Sequence, residues 1–224
     1  MLKKTVLVIA AHPDDEVLGC GGSLIKYKKM GYEINVVFFT DGVSSRGKKN
    51  LIFKKNKRMN QAKIIAKNQD FNYKFNHFAD NGLDNYPLLK IIKKIESYIA
   101  KFNPSIIFTH HEYDLNIDHQ IISKAVTTAT RPNNMSKIET ILHFEIPCST
   151  HQAFNNLNNF NPNWYEDISN FIENKVKMMS TYEDEIQNSS NPRSLKNIKY
   201  LSGFRGNTVG YEFAEAFMLK YKKN

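Results

Sequence analysis

Cysteine is scarce: Cys20 and Cys148 are the only two among 224 residues, which excludes a disulfide-stapled scaffold. No apolar run approaches the roughly 20 residues needed to cross a bilayer. The apolar start, Thr5 to Ala11, is too short for a signal-peptide core with its cleavage site and runs directly into charged residues. These absences predict a cytoplasmic chain without a membrane anchor. Repeats and linker-like stretches are also missing, so a single domain over 1–224 is expected. The net charge is +9, yet no basic-aromatic cluster or nucleic-acid module accompanies it. The lysines are scattered among asparagines, as in Lys54-Lys55-Asn56-Lys57. That pattern describes solvated helix faces and leaves the charge one role, the attraction of an anionic small molecule. A homo-oligomer is compatible with all of this.

What is present alternates between strand and helix. Thr5–Ala10 is a continuous apolar run, as expected of a strand covered on both faces. Residues 16–30 read as a helix closed by Gly31, 33–40 as a second buried strand, and 52–68 as a helix. A third strand is expected at 73–78. A helix at 88–102 carries Leu89, Ile92, Ile95 and Ile99 at three- and four-residue spacing. Then follow a strand at 105–109, a helix at 118–130 and a strand at 140–146. Beyond these lie an asparagine-rich loop at 155–163, a helix at 168–181, and a closing helix or strand at 210–221. The alternation predicts a doubly wound α/β fold with a mainly parallel sheet. Ligands bind such sheets beyond the carboxyl ends of the strands. The chemically distinctive residues fall there: 12–16, 41–46, 80 and 110–119.

His12 and Asp15 follow the first strand three residues apart, and imidazole nitrogen and carboxylate oxygen are good zinc ligands. His119, after the fourth strand, is the best third ligand. The resulting two-histidine, one-carboxylate set also suits ferrous iron. Adjacent aspartates cannot easily serve one metal from one face, which frees Asp14 to act as a base toward a metal-activated water. The bland alternative is that Asp14, Asp15 and Glu16 merely cap the next helix. At most one of His110 and His111 is expected to face the site, because neighbours on a strand alternate. His77, His143 and His151 carry no assigned role. Gly19-Cys20-Gly21-Gly22 lacks the spacing of a nucleotide-binding loop and reads as close helix–sheet packing, with Cys20 buried. Trp164 and Tyr165 could stack on a sugar but read first as packing residues. Arg131, Glu145, Arg193 and Arg205 could also reach the site, with no placement from sequence.

Ala11-His12-Pro13-Asp14-Asp15-Glu16, with the later Asp118-His119, resembles the PIG-L family of deacetylases, also called LmbE-like. Thr40-Asp41-Gly42, Arg58, Asp80-Asn81, Thr109-His110 and Ala214-Glu215-Ala216-Phe217 extend the likeness over most of the chain. The resemblance implies a Rossmann-like three-layer fold and hydrolysis of an N-acetyl group from an amino sugar or its conjugate, nucleotide- or phosphate-linked conjugates included. It implies that His12, Asp15 and His119 bind zinc, that Asp14 is the general base, and that Arg58 and Asp80, with Arg46, hold sugar hydroxyls. One departure matters. The family's second motif commonly reads His-Pro-Asp-His, whereas this chain has Asn116-Ile117-Asp118-His119. Asparagine can donate to an oxyanion but delivers no proton near neutrality. The leaving amine then takes its proton from Asp14, His110 or His111, and Asp118 orients His119 or caps its helix. Glu16 begins the first helix. Competing readings are hydrolysis of another acyl group, such as N-formyl, and a non-catalytic sugar-binding role.

Overall fold

Thr5–Ala10 forms strand β1, and every one of its residues is buried. Its alternation sorts the core into two clusters. Val6, Val8 and Ala10 join one, and Leu7 and Ile9, continued by Ala11, join the other. That is the pattern of a strand between two helical layers. A computed structural model of the chain describes residues 4–47, 49–131, 137–154 and 158–223. The expected loop at 155–163 lies partly outside them, at 155–157. Among the described residues, no helix is long and apolar enough to cross a membrane.

The elements follow in order: α1 (Asp15–Lys29), β2 (Glu33–Thr40), α2 (Leu51–Gln69), β3 (Asn72–Phe78), α3 (Leu88–Phe102) and β4 (Ile106–His110). Then come α4 (Ile117–Ala129), β5 (Thr140–Phe144), β6 (Trp164–Asp167), α5 (Ile172–Thr181), α6 (Leu195–Asn207) and β7 (Ala214–Lys222). The sheet runs β3-β2-β1-β4-β5-β7-β6. The first five strands are parallel, and β7 is antiparallel to both its neighbours. This is the mainly parallel, doubly wound α/β fold expected from the alternation. In α3 the buried stripe is Ile91, Ile92 and Ile95, each side chain contributing about 1.5–3 kcal/mol on burial. Leu89 is 62% exposed, because it falls off that stripe.

The last third differs from expectation. Helix α5 begins at Ile172 rather than 168, because Ile168 hydrogen-bonds through its backbone to Phe213 instead of opening a helix. Strand β6 and helix α6 were not anticipated, and the closing element is a strand. Its Glu215 explains the glycine-rich stretch. Helix α1 is broken at Cys20 (φ −148°, ψ 15°). The buried Lys175 ammonium donates to the Leu18 carbonyl at 2.9 Å on one side of the break. Glu215 accepts from the Gly22 and Ser23 amides at 2.9 and 2.7 Å on the other, and pairs with Lys175 at 2.6 Å. The break therefore satisfies its orphaned backbone groups with one buried ion pair. The glycines let it pack: a Cβ on Gly19 would lie 2.4 Å from the Phe144 ring, and one on Gly22 2.9 Å from Ile168.

Candidate active site and metal centre

The sheet order reverses between β1 and β4, and the residues following those two strands meet there. Asn116 shapes the second of these loops. It is the N-cap of α4, its side-chain oxygen accepting from the Asp118 and His119 amides at 2.8 and 3.4 Å. His119 is thereby aimed from the first turn of α4 back at β1.

Three donor atoms converge. His12 Nδ1 lies 3.2 Å from Asp15 Oδ2 and 3.1 Å from His119 Nε2, and the last two lie 3.4 Å apart. All three residues are buried. Metal–ligand bonds of about 2.0–2.1 Å in tetrahedral geometry space ligand atoms about 3.3 Å apart, so the triangle is the size of one zinc-site face. Asp15 Oδ1 is buried without a hydrogen-bond partner. The outward nitrogens are engaged by carboxylates: His12 Nε2 by Asp80 at 3.2 Å and Asp118 at 3.3 Å, and His119 Nδ1 by Asp114 at 3.0 Å. This leaves each ring's inward nitrogen as the lone-pair donor, as metal-ligating histidines require. Asp118 is fixed by the Asn81 and Leu83 amides, and Asp114 by Thr150, Ser149 and the Asn116 amide.

The electrostatics agree. Burial pushes the His12 and His119 rings down, but the surrounding carboxylates outweigh it, holding His12 well above its usual range and His119 at about 9. Burial pushes Asp15 up, and the three histidines around it more than reverse this. The cluster demands positive charge between its donors, which protons or a cation can satisfy. The residues fit a divalent metal.

Asp14 stands beside this cluster at the N-cap position of α1, yet its side chain makes no capping bond. The capping alternative therefore fails for Asp14. Its backbone sits at φ 125°, a left-handed value that costs a non-glycine residue on the order of 1–3 kcal/mol. Its Oδ2 faces Arg58 and Arg193, each at 3.4 Å. Burial raises the Asp14 carboxyl despite these two arginines. Glu185 gathers the guanidinium groups: Arg46 at 2.6 and 2.9 Å, Arg193 at 3.3 Å, and Arg58 in direct contact. Arg58 also donates to the Pro13 carbonyl at 2.7 Å. His12, Asp14, Arg46, Asp80, Asn116 and Arg193 line one small polar recess of about 60 Å³, room for an acyl group or a few waters.

Several sequence-level placements shift. His110 is the member of its pair that faces the cluster, its Nε2 3.4 Å from Asp15 Oδ2, but it is fully buried and does not line the recess itself. Its Nε2 accepts the Ala11 amide at 2.9 Å, its ring stacks on His119, and burial holds it well below its usual range. His111 turns instead to the Asn158 carbonyl, Tyr113 and Phe160. Asp118 contacts His12, not His119; neighbouring residues of a helix turn face different ways, and Asp114 takes the His119 position. Glu16 does not simply begin α1: it is fully buried, pushed up to about 7 by burial, and holds three donors. Glu185 was missed, and Arg193 was named without a place. They lie 171 and 179 positions from Asp14 on an irregular stretch, and only the Ser194 cap of α6 gave a local cue. Glu145 pairs with both Arg205 and His151.

A doubly wound sheet with a two-histidine, one-carboxylate cluster at its switch point defines a class of α/β proteins with a candidate metal centre. Sequence comparison narrows it. The family model described as PIG-L, GlcNAc-PI de-N-acetylase, matches residues 7–130, and the chain belongs to this family. Over 150 residues it is 32% identical to the uncharacterized deacetylase YaiS of Escherichia coli K12, covering 65% of this chain and 75% of that one. It is 26% identical to diacetylchitobiose deacetylase of Thermococcus kodakarensis, covering 95% of this chain and 81% of that one. Among solved structures, N,N'-diacetylchitobiose deacetylase of Pyrococcus horikoshii superposes with a TM-score of 0.79 at 20% identity, over 96% of this chain and 83% of that one. That likeness is one of fold.

Proposed function

We propose that the protein is a metal-dependent hydrolase that removes an N-acetyl group from a small-molecule amino sugar or amino-sugar conjugate. The observation that carries this reading is the donor triangle of His12, Asp15 and His119 beside a buried carboxylate, Asp14, that caps nothing. His12, Asp15 and His119 would hold zinc, with ferrous iron suited to the same donors. When bound, such a metal lowers the pKa of a coordinated water to roughly 7 and polarises an amide carbonyl.

The chain's own groups do the rest. Arg58 and Arg193 engage Asp14 Oδ2, which leaves Oδ1 to take the proton of the attacking water. Water adds to the acetamide carbonyl carbon, the C–N bond breaks, and acetate and a free amine result. Asp14 returns the proton to the amine nitrogen, since the His110 Nε2 lone pair is taken by the Ala11 amide and Asn116 is no acid at neutral pH. Asn116 gives one amide hydrogen to Asn81 at 3.1 Å and keeps the other for the carbonyl oxygen. Arg46, with half its side chain exposed, and Asp80 and Arg58 in the recess wall hold sugar hydroxyls. We place the reaction in the cytoplasm, on a single domain of 1–224. The test is acetate release across N-acetylated sugars, sugar phosphates and nucleotide sugars, scored against formate from N-formyl analogues. Release of formate alone, or of neither acid, removes this reading.

A further inference from the structure

Glu16 is a charged residue buried to 0% exposure and used by no step of the reaction. Its Oε1 accepts from the Tyr182 hydroxyl at 2.8 Å and the Tyr73 hydroxyl at 3.1 Å. Its Oε2 accepts from the backbone N–H of Asp14 at 3.0 Å. The two tyrosines come from different elements, Tyr73 from β3 and Tyr182 from the end of α5, and Tyr182 is itself fully buried. The Glu16 carboxylate is thus pinned from two sides before it touches Asp14.

Asp14 needs such a grip. Its carbonyl accepts the first bonds of α1, from Val17 and Leu18 at 3.0 and 2.9 Å. With φ 125°, its N–H meets the Glu16 side chain from the first turn of that same helix. A residue with a side chain rarely holds that conformation, and a buried N–H without an acceptor is costly. Glu16 removes the second penalty and leaves the Asp14 side chain free of any capping duty, directed at Arg58, Arg193 and the recess.

We infer that Glu16 is a positioning residue for Asp14: by accepting the Asp14 amide proton it locks the strained backbone that turns the Asp14 carboxylate into the recess. The inference rests on the reading of Asp14 as the base. Comparing Glu16→Gln with Glu16→Met tests it. Gln keeps a side-chain oxygen for the Asp14 N–H; Met matches the shape and offers no acceptor. An ångström of misplacement costs on the order of 100-fold in rate. For Glu16→Met the expectation is a kcat for acetate release down by about that factor, with KM and bound zinc near the parent values. Glu16→Gln should restore kcat to within about tenfold of the parent. The crystal structure of Glu16→Met should show Asp14 out of the left-handed region, a readout independent of turnover. Equal kcat in the two variants, or an unchanged Asp14 backbone in Glu16→Met, overturns the inference. So does a parallel loss of kcat, zinc and thermal midpoint in both, which would mark a purely structural role. A parent that releases no acetate, with Asp14 displaced in Glu16→Met, refutes the deacetylase reading and leaves the positioning role standing.

Discussion

Replacing Asp14 by Asn separates the base from its surroundings. The substitution keeps the shape of a residue that is 2% exposed and removes its charge. A positioned general base contributes about 10²–10⁴ in rate, or roughly 3–5 kcal/mol at 1.36 kcal/mol per tenfold. Asp14→Asn should therefore lower kcat for acetate release by about 10²–10⁴, while His12, Asp15 and His119 still bind metal. Stability should move the other way. Burial raises the Asp14 carboxyl above its unfolded value, even against Arg193 and Arg58. A carboxyl raised in the folded state contributes stability that is present below its unfolded pKa and is lost as pH rises through its folded value. The ionised carboxylate is thus a net cost to the metal-free fold above that pH, and Asn removes the cost. The assay pairs acetate kinetics and zinc content with urea midpoints of the metal-free proteins. A variant that keeps activity within a few-fold of the parent, or one that loses its metal together with its activity, refutes the assignment of Asp14 as a base distinct from the ligands.

Two further outcomes follow from the core. Lys175→Met leaves Glu215 buried without its partner at the break in α1, and should cost about 3–5 kcal/mol in urea unfolding; a cost under about 1 kcal/mol would show that the break does not depend on the pair. His143, buried in β5, is pushed down to about 3, chiefly by burial. A depressed folded pKa contributes stability present above about 6.5 and lost as pH falls toward 3. Parent protein should lose about 2 kcal/mol from this group between pH 7 and 5, and His143→Leu should unfold with that much less pH dependence. Identical pH profiles for the two would contradict a neutral buried His143.

The parallel half of the fold was legible because burial on two faces writes itself as continuous apolar sequence. Thr5–Ala10 and Glu33–Thr40 show it most clearly, rich in β-branched and aromatic residues and short enough for strands. The carboxy-terminal third carries weaker patterns. Helix α6 buries only Ile198, Ser202 and Gly206, and β6 has four residues at a sheet edge. The acidic motif after β1 was legible because residue chemistry and strand ends coincide there. Partners that meet it from elsewhere were not. Glu185 sits in a three-residue helical turn, and Arg193 in a loop whose local sequence serves the cap of α6. That Asp118 meets His12 while Asp114, from the loop before α4, meets His119 follows from side-chain direction, which spacing alone does not encode. Glu16 looked like a helix-start charge because acidic residues favour that position; its inward turn depends on Tyr73 and Tyr182, which come from distant elements.

The central claim is that the His12, Asp15 and His119 cluster holds a metal used to hydrolyse an acetamide. Acetate release from N-acetylated amino sugars, measured on chelator-stripped protein and again after one equivalent of zinc or ferrous iron, tests it most directly. No release is expected from stripped protein, and recovery is expected on addition of metal but not in His119→Ala. Release that is equal with and without metal, or absent from the loaded protein on every substrate, contradicts it.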